Sequence, residues 1–574
     1  MKHEEMICLL KEWCDSLLVY QYNSEKMLSF DGAILCPCCT KVHGRIADLM
    51  YPLLVLQQSF PNEGYLDKAI ALSKWEERML SNEDGSYFND RDKMWKGITV
   101  FTIIRYAHII HYCSSSILEE YKKQWKKRLE KALEYLYMNI DTLGGNVNYT
   151  ITASEALAWG WKLFHTQKYY DKSKSLYNEA MSYVNQEGLI IGEGSPRRVQ
   201  TSRGCNAIDI GYNLEESLPA LFMCAELLED ENMKEEIVKL FNHHKYFLLD
   251  DGGIDNSFGS RNYKWTYWGS KTAKGCNAVL LKIARQYTRP EYEIFVLRNL
   301  KLLKNATVNG LLQEGFSDGY DQTCIHMTFT QAMGLADLLV MNLSAKNITT
   351  NIHKHNTTSY FQTLNTMIIN YCNWRATLTS YDYEYVKEGH TSGGCLSLLK
   401  HKTFGLIFVS SMNIYKPIES NNMYALRESS NTCMTPRLEI TNKQNVYSQI
   451  YDYNALISKK ESIITVKTVL TSINQEKGPS AIIRFIFEDK LKISILSEED
   501  MDFIFPFVQI NDSISQKENH LFIERNGVTL VAETNGVMSI DKNTIYNPVP
   551  GVYARRCKVM IKKNVETEIS FSIS

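Results

Sequence analysis

The sequence predicts an α+β protein in two parts, an N-terminal (α/α)6 toroid followed by an antiparallel β-sandwich. Three observations carry this prediction. From residue 1 to about 345, apolar side chains recur three and four positions apart, the spacing of one helix face. Through the same region a short glycine turn recurs six times. From about residue 360 the texture changes to alternating, β-branched runs. The parts are assigned as 1–345 (toroid), 346–359 (a polar linker, KNITTNIHKHNTT and the residue after it) and 360–574 (sandwich).

Helices are predicted near 3–21, 44–58, 64–81, 97–113, 117–139, 150–165, 168–185, 213–229, 232–246, 271–287, 291–304 and 328–342. Leu118, Tyr121, Trp125, Leu129 and Leu133 illustrate the spacing, with Lys and Glu between them. The recurring turns are Asp31-Gly32, Asp84-Gly85, Gly144-Gly145, Glu187-Gly188, Asp251-Gly252 and Asn309-Gly310, at intervals of 43 to 64 residues. One helix pair fits each interval, so six pairs close a ring and gather the recurring loops at one end. An open helical solenoid explains the helices but not the polar and aromatic loops at one phase. In the second part, strands are predicted at Phe404–Ser411, Ile463–Leu470, Ala481–Phe487, Lys492–Leu496, Phe503–Ile510, Leu521–Glu524, Val528–Ala532 and Lys558–Lys562. Asn526-Gly527 is a hairpin signal between two of them.

A chain of 574 residues with 44% hydrophobic and 22% charged residues is large enough for two domains and a sizeable core. A net charge of −2 provides no global field for nucleic acid or an anionic membrane, so neither is an expected partner. No apolar run is long enough to span a bilayer. The N-terminus has no secretory core, because Lys11, Glu12 and Asp15 interrupt it. With Met1 as the natural start the chain reads as cytoplasmic; a trimmed chain would be periplasmic. The 14 cysteines are scattered, as free thiols are in a reducing compartment. Self-association is left open.

The stretch Asp251–Thr272, DGGIDNSFGSRNYKWTYWGSKT, is poor in aliphatics and rich in groups that recognise sugars. Trp265, Tyr263, Tyr267 and Trp268 offer flat faces, and Arg261, Lys264 and Lys271 offer charge for a carboxylate. The competing reading is an aromatic plug at the end of a helical core. Trp95, before the helix of the second repeat, is similarly either a sugar-stacking wall or a core cap.

A helical toroid followed by a sandwich resembles a broad group of carbohydrate-active enzymes that includes heparinase II/III-like polysaccharide lyases. The segments LCPCCTKVHGRIADLMYPL, DIGYNLEESLPAL, RNYKWTYWGSKT and HTSGGCLSLLKH are more similar to glycoside hydrolase family 154-type β-glucuronidases. That resemblance implies release of a uronic acid, β-glucuronate being the expected sugar, from an oligosaccharide or polysaccharide. It assigns no catalytic residue.

Glycoside hydrolysis needs two carboxyl groups, one protonated and one ionised. Glu193 (in IGEGSPRR) and Asp255 are the leading pair, with Asp209 in reserve; Asp318 and Asp321 are further loop acids. Helix capping competes for Asp209, Glu215 and Glu216. Arg203 and Arg261 are expected to hold the uronate carboxylate, with Tyr263, Trp265, Tyr267, Trp95, Asn148, His43 and Arg45 lining the sugar site. A lyase would instead neutralise that carboxylate and abstract the proton beside it, using groups drawn from Asn146, Asn148, Tyr149, Arg203, Arg261, Tyr263, Tyr267 and His326. Glycan binding without catalysis is the third alternative.

Cys36, Cys38, Cys39 and His43 in LCPCCTKVHGR raise a zinc reading, but no second cysteine pair follows. They are read as small apolar fillers, with His43, Arg45 and Asp48 in a polar network, and no metal is assigned. His390-Thr391-Ser392-Gly393-Gly394 is read as a strand-linking turn. GEGSPRR lacks the ending of a nucleotide loop, and no cofactor is expected.

Overall fold

The computed structural model describes residues 1–24, 26–91, 93, 95–142, 144–316, 323–345, 356–410, 412–419, 422–424, 432–442 and 445–574. Asp318 and Asp321, and most of the stretch read as linker, lie outside the described residues.

Among the described residues the toroid contains α1 (His3–Leu18), α2 (Met50–Ser59), α3 (Tyr65–Met79), α4 (Thr99–Tyr112), α5 (Glu119–Asn139), α6 (Val147–Phe164) and α7 (Gln167–Met181). It continues through α8 (Leu218–Leu227), α9 (Glu231–His244), α10 (Asn277–Gln286), α11 (Pro290–Asn305) and α12 (His326–Val340). The even-numbered helices pack in a closed inner ring, α2 on α4, α4 on α6, α6 on α8, α8 on α10, α10 on α12 and α12 back on α2. The odd-numbered helices pack outside. Their sequences agree with these places: α5 carries Lys and Glu outward and buries Trp125, Leu129, Ala132, Leu133 and Leu136, whereas α8 is buried along nearly its whole length.

The recurring glycines sit in tight turns after each outer helix. All six have positive φ, from +73° to +95°, which residues with a Cβ adopt only under strain. A Cβ on Gly32 would lie 2.2 Å from the Ala71 carbonyl oxygen of α3, and one on Gly252 2.3 Å from the Asn299 nitrogen of α11. A Cβ on Gly310 would strike Ser16 of α1, so the last turn packs on the first helix and the ring closes. Gly145 departs from this pattern and faces only the Tyr149 ring. Gly252→Ala combines the disfavoured φ with the backbone clash and is expected to cost roughly 1–3 kcal/mol, read as a lowered denaturation midpoint with activity retained in the folded fraction.

The second part begins with the strand Thr357–Phe361, whose first three residues fall in the stretch read as linker. Five antiparallel strands follow chain order in one sheet: Thr357–Phe361, Thr366–Tyr371, Trp374–Thr379, Cys395–His401 and Gly405–Val409. Trp374–Thr379 and Cys395–His401 are buried at every position because this sheet is covered on both faces. Alternation assigns the faces: Ile368 and Leu398 join the toroid core, while Ile369, Ala376 and Leu399 join the core of the larger sheet. That larger sheet has thirteen strands among the described residues. Asn526 and Gly527, both with positive φ, turn the hairpin between His520–Arg525 and Val528–Thr534. A helical toroid followed by an antiparallel sandwich is therefore the fold.

Candidate active site

The glycine-rich stretch enters the toroid end that faces the sandwich, and every residue of Gly252–Thr272 is buried. Arg261 is its centre. Its Nη1 donates to Glu193 Oε2 at 2.9 Å, and its Nη2 reaches Glu419 Oε1 at 3.3 Å. Glu193 uses its other oxygen to accept the Asn148 backbone N–H at 3.1 Å, fixing the start of α6. The Asn148 side chain donates to Glu216 Oε1 at 2.5 Å, and its own carbonyl oxygen is buried without a protein partner.

Glu216 is aimed inward by a π-helical segment, Asn213–Ser217, inserted between the turn Ile210–Tyr212 and α8. Such a segment shifts the helix face by one residue and recurs at functional sites. It sends the neighbouring Glu215 to the Ser270 N–H at 2.6 Å. The same region presents Tyr212, whose hydroxyl lies 2.8 Å from Thr272 Oγ1 and accepts from Lys264 Nζ at 3.3 Å. The Arg261 guanidinium stands over the Tyr212 ring, 4.7 Å from its centroid.

One sandwich residue completes the cluster. Glu419 accepts from Tyr263 OH at 2.8 Å and pairs with Lys264 as well as Arg261. Burial works to raise the Glu419 carboxyl, but Lys264 and Arg261 overcome it and hold the group well below the usual carboxylate range. Burial and the nearby Arg261 bring Lys264 down to about 8. Burial lifts Glu193 to about 7, Glu215 to about 8, Glu216 upward and the Tyr212 phenol far upward. The buried cluster thus combines two cations, an anion already held by them, and carboxyl groups biased towards their neutral form. A cavity between the inner helices, lined by residues including Thr152, Glu155, Lys274 and Asp337, shares Arg45 and Glu216 with it.

Of the residues singled out from sequence, Glu193, Arg261, Tyr263 and Asn148 are brought together. Arg45 borders them, donating to the Thr272 carbonyl at 2.6 Å and pairing with Asp48 at 2.9 Å. Trp95 stands edge-on to Tyr149, with ring centroids 4.7 Å apart, beside the start of α6.

Others are elsewhere. Asp255 lies in the domain interface, where its carboxylate receives Arg375 at 2.8 Å, Thr377 at 2.5 Å and Ser257 at 2.8 Å. It is consumed in joining the domains. Arg203 does similar work, donating to the carbonyls of Ser380, Tyr453 and Ala455. Asp209 caps the turn before the π segment, accepting the Tyr212 N–H at 2.8 Å. Tyr267 bonds Asp251 and packs on Phe316, and Trp265 is in the core. His43 sits in a group with Cys36, Cys39 and Cys324, apart from the Arg261 cluster. His390 is held by the Thr391 and Tyr383 carbonyls and is a structural turn residue. Tyr212, Glu216 as a site residue, and Glu419 were not selected from sequence.

Comparison with known proteins marks an enzyme that acts on polysaccharides. The family model described as ulvan lyase N-terminal domain matches residues 10–357, and that described as ulvan lyase C-terminal domain matches 358–574. A broad-specificity ulvan lyase from Formosa agariphila is 30% identical over 595 aligned residues, covering 97% of this chain and 92% of that protein. The chain belongs to the ulvan lyase family. A solved heparinase III shares the fold at 10% identity, with a TM-score of 0.50, covering all of this chain and 84% of its own. These findings overturn the expectation of a glycoside hydrolase, and the similarity to family 154-type β-glucuronidases gives way to lyase kinship. The paired-carboxylate assignment to Glu193, Asp255 and Asp209 falls with it, in keeping with the ion-paired and capping roles those three acids have here.

Proposed function

We propose that the chain is a polysaccharide lyase that cleaves a uronate-containing polysaccharide of the ulvan type by β-elimination, with Tyr212 transferring the proton. The observation that carries this reading is the Tyr212 hydroxyl bonded to Lys264, with Arg261 over its ring, in the buried cluster that also holds Asn148.

Elimination removes the proton on C5, beside the uronate carboxylate, and breaks the C4–O bond. The carboxylate must first be partly neutralised, so that C5 can bear the developing charge. Arg261 and Asn148 do this, beside Glu216, whose carboxyl burial pushes towards its neutral form. The grip on Glu419 supports the assignment, because Arg261, Tyr263 and Lys264 already hold one carboxylate in a geometry a uronate would use. With Lys264 in its neutral form, Tyr212 takes the proton from C5 as its own passes to the Lys264 amine, so no free phenolate forms. The double bond forms between C4 and C5, and the leaving oxygen receives a proton back from Tyr212, which Lys264 restores. Glu193 orients Arg261 and the start of α6 and takes no proton.

Incubation with ulvan and with a panel of other uronate polysaccharides, followed by ultraviolet absorbance, tests the reading. Absorbance from a C4–C5 double bond should grow with turnover on ulvan. No growth on any of them, with 4-nitrophenyl β-glucuronide hydrolysed instead, would refute it.

A further inference from the structure

We propose that Cys36, Cys39, His43 and Cys324 form a structural zinc site that ties the first loop of the toroid to the start of its last helix. The four side chains each offer one ligand atom, and these atoms all lie within 4.8 Å of one another. His43 Nε2 is 3.5 Å from the sulfur of Cys39 and 3.5 Å from that of Cys324. Zinc–sulfur bonds of about 2.3 Å and a zinc–nitrogen bond of about 2.0 Å at tetrahedral angles require an N···S edge of about 3.5 Å. The two edges therefore already have the length that a shared ion would impose.

The local chain explains how three of the ligands meet. Cys36 and Cys39 are three apart in a tight knuckle, where the Thr40 N–H donates to the Cys36 carbonyl and the Cys36 N–H to that of Lys41. Thr40 takes positive φ to close it. His43 follows four residues after Cys39. The fourth ligand arrives from 281 residues beyond His43, just ahead of α12. Cys36, His43 and Cys324 are buried, and Cys39 is half-buried. The neighbouring Cys38 is not one of the four.

Simple apolar filling accounts for single buried thiols, such as Cys14 and Cys224 in helices. It does not account for three thiols and an imidazole converging from two distant segments. Soft thiolates with one imidazole select zinc among the common divalent ions, and four protein ligands leave no open position. The site is thus structural. It fixes the loop that delivers Arg45, two residues beyond His43, to the active-site rim, and it adds a second closure of the ring beside the contact of α12 with α2.

Metal analysis of the full-length chain, purified without chelator or nickel resin and dialysed, tests the site. About one zinc per chain is expected, released by a mercurial reagent in step with titration of three thiols. Cys324→Ser and Cys39→Ser should each lose the zinc and lower the denaturation midpoint. Because these variants could misfold, cobalt exchange into the wild-type chain provides a separate readout, with intense visible bands of a tetrahedral thiolate site expected. Zinc well below one per chain after growth with added zinc would overturn the proposal. So would a disulfide between any two of the three cysteines, or cobalt bands characteristic of six oxygen or nitrogen ligands.

Discussion

Tyr212→Phe is expected to lower kcat on ulvan by roughly 10³-fold while leaving KM within a few-fold of wild type. The substitution removes one oxygen atom. The ring remains under Arg261, and the buried packing of the turn Ile210–Tyr212 is retained. Lost are the hydrogen bonds to Thr272 and Lys264, a stability cost of about 1 kcal/mol that leaves the chain folded. Elimination, however, loses the only group that the proposed path uses both to take the C5 proton and to return one to the leaving oxygen. Binding rests on Arg261, Asn148 and Tyr263, which the change does not touch, so the effect belongs in kcat. Equal falls in kcat and substrate affinity would instead assign Tyr212 to binding. The measurement is steady-state kinetics from the appearance of the unsaturated chromophore, with a denaturation curve as control.

The second large effect concerns pH. Lys264 must be neutral to receive the Tyr212 proton, and burial beside Arg261 brings its pKa from 10.5 to about 8. The rate should therefore climb with pH through a limb centred near 8. Lys264→Arg keeps the cation at all accessible pH values. It should abolish that limb and reduce kcat by roughly 10²-fold. The same shift has a stability signature. A lysine of depressed folded pKa binds its proton less readily in the native state than in the unfolded one. Between about pH 8 and 10.5 the unfolded chain holds the extra proton, so stability from this group rises with pH across that window. Lys264→Met should flatten the rise relative to wild type, read as the change in denaturation midpoint between the two ends of the window. A rate that falls through pH 8 would mean that protonated Lys264 is the active form.

The helical ring was legible because its signals are local. Each repeat marks itself with a glycine of positive φ, which in all but the third also approaches the next outer helix too closely for a side chain, and Gly310 even carries the information that the ring closes, on Ser16. Arg261 and Glu193 stood out as charges in glycine-rich loops with no helix to cap. Asp255 had the same appearance, yet its partner is Arg375, the one charge in a strand of the other domain that is buried at every position. That misplaced arginine was the available clue. Tyr212 was hidden because an aromatic at a helix start is ordinary, and nothing local discloses the π segment that follows it. Glu419 belongs to a sandwich loop without pattern, and its meaning comes only from the cations it meets. Cys324 is separated from His43 by almost the whole toroid, so spacing rules that find zinc ligands within one short segment pass over it.

The central claim is that a uronate carboxylate is neutralised so that its neighbouring proton can be removed, with no water entering the products. Mass spectrometry of a defined ulvan oligosaccharide before and after limited digestion measures this directly. The account predicts two fragments whose masses sum to that of the starting chain, the one ending in the uronate lacking a water relative to its saturated form. Fragments that together exceed the starting mass by one water would contradict it.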